Sequence, residues 1–108
     1  MKIKHFLLAA LCTASALPLC AQSQGYLDGI EYYKADQFDN AREILERTLN
    51  DNDTDQAMAL YYLGSIALRD GKTNDAANYF KKGVQSDPKN GLNYVGLGAA
   101  ALANGNNA

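Results

Sequence analysis

The sequence predicts an all-α fold of stacked antiparallel helical hairpins, on three observations. Apolar residues recur at steps of three and four, the pattern returns after about 35 residues, and a glycine returns with it at Gly29, Gly64 and Gly98. A shift of 35 sets Tyr26 on Tyr61, Gly29 on Gly64, Ala41 on Ala76, Leu45 on Phe80 and Leu49 on Val84. A further shift of 34 sets Leu63 on Leu97 and Gly64 on Gly98. A two-helix unit is thus written twice in full and a third time in part, with expected bounds of 22–56, 57–90 and 91–108. One hairpin cannot bury its apolar stripe alone, so the copies must stack and share a core.

The stretch before the first unit reads differently. Residues 1–21, "MKIKHFLLAALCTASALPLCA", open with Lys2 and Lys4, run apolar from Phe6 to Leu19 and end on a small residue, which is the layout of a secretory signal peptide. The run is shorter than the ~20 apolar residues of a spanning helix, and Thr13, Ser15 and Pro18 interrupt it. The expectation is of an exported bacterial protein, cleaved after Ala21, working in the periplasm or elsewhere in the cell envelope with no transmembrane segment. A lipoprotein acylated at Cys20 is the alternative, against which stands the bulky Leu19. The cysteines, Cys12 and Cys20, and the single histidine, His5, lie in this leader. The remainder is therefore expected to be stable without disulfides.

Helices are expected near residues 24–36, 39–50, 56–70, 74–86 and 90–103. In "FDNAREILERTL" the residues Ala41, Ile44, Leu45, Thr48 and Leu49 form one amphipathic stripe, and Ala76, Ala77, Phe80 and Val84 repeat it. Asp39 is expected to cap the second helix, Asp55 the third, and Thr73 or Asn74 the fourth, each accepting from free N–H groups. Gly71 allows the tight turn before the fourth helix, and Pro88 stops it. Small residues at Gly64 and Ala76 let the two helices of a hairpin approach closely, and Phe80 fills the space one turn further on.

The pattern Leu60, Leu63, Gly64, Ala76, Phe80 and Pro88 resembles the tetratricopeptide repeat, with a weaker match at Gly29, Tyr32, Ala41 and Leu45 in the first copy. Gly25 and Asp28 stand where the family usually has bulky residues, and Ala67 and Gly83 replace a frequent tyrosine and alanine. The resemblance covers most of residues 22–108. It implies a right-handed superhelix of about two and a half repeats, whose first helices line a concave peptide-binding groove. Carried onto this chain, the groove positions are Tyr26, Ile30, Tyr33 and Lys34 in the first copy and Met58, Tyr61, Ser65 and Arg69 in the second. The carboxylate clamp of the family's chaperone adaptors is absent, because its positions hold Tyr26, Ile30, Tyr62, Leu92 and Gly96.

Composition narrows the chemistry. Without the leader, eight basic residues face twelve acids, a net charge of −4, and the bases are interleaved with acids, which argues against nucleic acid as a partner. "DNDTDQ" at 51–56 begins like a calcium loop, but Gln56 stands where the glycine is needed and Tyr62 where the bidentate glutamate is needed. "GLNYVGLG" at 91–98 follows no strand and has Ala101 in place of the last glycine of a dinucleotide fingerprint. Glu43, Glu46, Asp36 and Asp39 lie beside Arg42 and Arg47 and read as surface charge pairs rather than as an acid–base couple. Neither enzyme activity, nor a cofactor, nor a metal is expected.

The expected function is therefore a protein or peptide interaction module. The alternative is a structural role, as the N-terminal segment of a longer envelope or outer-membrane assembly protein. The last helix is apolar on several sides through Leu92, Val95, Leu97 and Leu102, so self-association through it is also expected.

Overall fold

A computed structural model of the protein describes residues 23–105, which form five α-helices. These are α1 (Gln24–Lys34), α2 (Phe38–Thr48), α3 (Gln56–Arg69), α4 (Thr73–Ser86) and α5 (Gly91–Gly105). The expected leader, its cleavage site and Cys20 lie outside the described residues. Among those residues there is no strand, and no helix is long and apolar enough to cross a membrane.

Polar side chains set three of the helix starts, Asn90 capping α5 by accepting from the Leu92 N–H at 2.9 Å. Ser23 caps α1 by accepting from the Tyr26 N–H at 2.9 Å, and its own N–H donates to the Asp53 carbonyl at 2.9 Å, tying the start of α1 to the loop before α3. Asp55 caps α3 through the Met58 N–H at 3.1 Å, as expected. The caps expected at Asp39 and at Thr73 or Asn74 are not there. Gln37 and Lys72 hold those positions and make no side-chain cap bond. The reason lies in the turns: Asp36 (φ 62) and Gly71 (φ 78) put the backbone in the left-handed region, and the return helix begins at once. Gln37 N–H donates to the Tyr32 carbonyl and Lys72 N–H to the Ala67 carbonyl, both at 2.9 Å, closing the preceding helices as Schellman motifs. Asp39 instead sits in the first turn of α2, 3.2 Å from Arg42, where its charge still complements the helix dipole. Pro88 acts as expected: α4 ends at Ser86, and Asp87 is extended (φ −148).

α1 pairs with α2 and α3 with α4, while α5 lies against α4 and α3. The first core joins Tyr26, Ala41, Leu45, Ala59, Leu63 and Ile66, and the second joins Ala67, Ala76, Phe80 and Ala100. Each hairpin closes on the same knob. A Cβ placed on Gly29 would stand 2.6 Å from Leu45 Cδ2, and one on Gly64 would stand 2.6 Å from Phe80 Cε1. Phe80 also abuts Gly96 of α5, so one ring fills the junction of three helices. Asn93, fully buried, donates through Nδ2 to the Ala57 carbonyl at 3.0 Å and fixes α5 to the start of α3, while its Oδ1 has no partner. At the other end of α5, Thr73 donates to Asn104 Oδ1 at 2.6 Å.

Candidate functional site

α1 and α3 run alongside each other, and aromatic rings from four helices form one continuous row. Tyr33 at the end of α1 meets Phe38 at the start of α2 edge-on (centroids 5.4 Å) and Tyr62 of α3 at 4.9 Å. Tyr62 meets Tyr61 at 5.6 Å, and Tyr61 meets Phe80 of α4 at 6.1 Å. Each contact is worth roughly 0.5–1.5 kcal/mol beyond burial, so the rings are held in place before any partner arrives. Arg69, the last residue of α3, lays its guanidinium over the Phe38 ring, 4.1 Å from the centroid. The cation stays exposed to solvent and keeps its N–H donors.

The eight residues expected on the groove fare differently. Tyr33 and Tyr61 are half-buried within the row, and Arg69 is reached from it through Phe38. Ile30 is half-buried against the first core. Lys34 is exposed and paired loosely with Glu31 at 3.5 Å. Met58 is half-buried, its Sδ accepting from Asn90 Nδ2 at 3.2 Å, and Ser65 donates to the Tyr61 carbonyl of its own helix at 2.9 Å. Tyr26 is not on this surface: it is 4 % exposed and belongs to the core with Ala59 and Leu63. The 35-residue shift equates Tyr26 with Tyr61 within their units, but α3 covers the first ring far more completely than α5 covers the second. Tyr62 and Phe38, which complete the row, were not expected there. The paired tyrosines at 61–62 were the available signal for the former; nothing in the periodicity pointed to the latter.

On another side of the stack, Arg42 reaches Asp70 at 3.6 Å and Tyr79 donates to Glu46 at 3.0 Å, linking α2 to the second hairpin. These groups line a cleft of about 190 Å³ that Lys72 and Asp75 share. Burial, followed by the Glu46 carboxylate, pushes the Tyr79 hydroxyl up to about 12, and burial, followed by Asp55, takes Tyr26 to about 12. Burial also raises Tyr62, with Lys34 opposing it. A tyrosine this resistant to ionisation is a hydrogen-bond donor, not a base. Because the folded values lie above the ordinary value of about 10, the stability they contribute is fully present below about pH 10 and is lost as pH rises toward 12. Thermal unfolding should have a flat midpoint up to about pH 10 and then decline, with a shallower decline in a Tyr26→Phe, Tyr79→Phe variant. Parallel declines in the two proteins would remove these tyrosines as the cause.

The family model described as "Tetratricopeptide repeat" matches residues 26–91. No curated protein and no solved structure matches the chain.

Proposed function

The chain belongs to the tetratricopeptide repeat family, and from that premise we propose that it is a non-catalytic module that holds a peptide segment of a protein partner along α1 and α3. Repeats of this family generally mediate protein–protein interaction and typically serve as scaffolds. The observation that carries the reading is the row Tyr33, Tyr62 and Tyr61 with Arg69 stacked on Phe38 beside it. Fixed half-buried rings offer apolar area at little entropic cost, and the guanidinium offers charge-assisted donors to a carboxylate or carbonyl. Ile30, Lys34, Met58 and Ser65 flank the row as further contacts; Tyr26 takes no direct part. Two full units and a partial third offer less than the ~800 Å² per partner of a standard interface, so binding by this segment alone is weak.

The module works outside the cytoplasm, in the periplasm or elsewhere in the cell envelope; the support is the leader layout of residues 1–21. Mature protein should begin at Gln22, an intact Met1 on cytosolic protein would overturn export, and a lipid on Cys20 would establish the lipoprotein form. Crosslinking in the host tests the binding face directly. A Tyr61→Ala, Arg69→Ala double variant should stay folded and lose partners that the wild type recovers. An unchanged set of partners favours the second reading, a structural segment of a longer envelope or outer-membrane assembly protein. The specific observation behind that reading is the outer face of α5, where Tyr94, Val95 and Leu102 are exposed.

A further inference from the structure

Each hairpin is closed by a side chain seated on a glycine, Leu45 on Gly29 and Phe80 on Gly64, and α5 is held to α4 in the same way, by Phe80 on Gly96 and Asn93 on Gly83. The junction between the first hairpin and the second has no such seat: among the described residues, no glycine of one receives a side chain of the other. The core that joins them includes the small residues Ala41 and Ala59, which bury area but interlock little, so they leave the roll of one helix against the next weakly specified. Beyond that core, α2 stands off α4 across the cleft of about 190 Å³ that Leu63 and Ala67 also line.

A line of contacts along α2 supplies what the core leaves open. Phe38, Arg42 and Glu46 follow one another at four-residue steps on one side of the helix. The second hairpin takes hold of each: the Arg69 guanidinium lies 4.1 Å from the Phe38 ring centroid, Asp70 reaches Arg42 at 3.6 Å, and the Tyr79 hydroxyl donates to Glu46 at 3.0 Å. Arg69 and Asp70 are consecutive, so the end of α3 grips two successive turns of α2 at once. Asp70 is also the C-cap of α3, where a carboxylate opposes the helix dipole, so its charge serves the contact to Arg42 rather than its own helix.

We infer that Asp70 and Tyr79, acting through Arg42 and Glu46, are positioning residues for the binding face: they set the roll of the first hairpin, and so keep Phe38 under Arg69 and Tyr33 against Tyr62. Neither belongs to the aromatic row. Their effect on binding rests on the peptide-binding reading; their effect on the row does not.

Proton NMR of the full chain, purified from its host, reads the row without a partner. The Phe38 ring should shift the Arg69 side-chain protons upfield, and the rings of Tyr33 and Tyr62 should show mutual contacts. An Asp70→Asn, Tyr79→Phe variant should lose much of that upfield shift and weaken the Tyr33–Tyr62 contacts, while Phe80 keeps its contact with Gly96 and helical circular dichroism is unchanged. Asp70→Asn alone should show part of the loss and Asp70→Glu, which keeps the charge, should show none. The double variant should also bind a partner recovered by crosslinking several-fold more weakly than the wild type. An unmoved Arg69 shift in the double variant overturns the inference, whatever becomes of the peptide-binding reading. Equal losses in Asp70→Asn and Asp70→Glu overturn it as well, because the ion pair is then not the cause. So does an affinity that is lost in Tyr61→Ala, Arg69→Ala but unchanged in the double variant. A row that moves as expected, with partners indifferent to Tyr61→Ala, Arg69→Ala, supports the positioning and removes the peptide-binding reading.

Discussion

Phe80→Ala is expected to destabilise the protein by about 3–5 kcal/mol, the range for emptying an aromatic site in a packed core. The ring is 1 % exposed and is shared by three helices, against Gly64 of α3, Gly96 of α5 and Tyr61 at the end of the aromatic row. Neither glycine has a side chain that could collapse into the space, so relaxation recovers little of the loss. A domain of this size has about 5–15 kcal/mol in total, so one substitution removes a large share. The damage should be directional. α5 has its apolar contacts with Phe80, Ala67 and Ala76, so its amides should lose hydrogen-exchange protection before those of α1 and α2. Denaturant titration gives the magnitude, and Lys82→Ala on the exposed side of α4 gives the baseline. Equal effects at the two positions would mean that the buried stripe of α4 is elsewhere.

Glycine to alanine at equivalent positions of the second and third units should have opposite signs. In the interior of a helix, alanine is favoured by up to about 1 kcal/mol on propensity alone. At Gly98 that term acts unopposed, since none of the described residues meets the new methyl group, and the variant should gain about that amount. At Gly64 the methyl would meet Phe80 atoms at 2.6 to 2.8 Å. The ring is enclosed and rigid, so the helices must separate, and overpacking costs about 1–3 kcal/mol. Gly64→Ala should therefore unfold at lower temperature than the wild type and Gly98→Ala at higher. Shifts of the same sign would deny that Gly98 stands open at the position where Gly64 is filled by Phe80.

The parts of the fold that were legible in the sequence follow from local periodicity. All five helices end within two residues of the expected bounds, because the apolar spacing, Asp55, Gly71 and Pro88 each act on the few residues around them. The Gly64–Phe80 contact was legible for a similar reason: a hairpin fixes which residues of its two helices can meet. What escaped depends on relations between units. Asp36 in the left-handed region carries no glycine to announce it, so the start of α2 was placed beyond its true N-cap. Tyr26 and Tyr61 share a repeat position but have different neighbours, and burial is a property of neighbours. Tyr33 against Tyr62 and Arg69 against Phe38 depend on how the first hairpin is rolled against α3, which no spacing within one helix specifies.

The most direct measurement is hydrogen–deuterium exchange of the protein with and without a partner recovered by crosslinking. Partner binding should add protection around Ile30–Phe38 and Met58–Arg69, the segments that carry the aromatic row, and the Tyr61→Ala, Arg69→Ala variant should lose that protection while keeping its unbound exchange pattern. Added protection confined to the exposed sides of α2 and α4, with the 30–38 and 58–69 segments unchanged, would contradict a binding face built on α1 and α3.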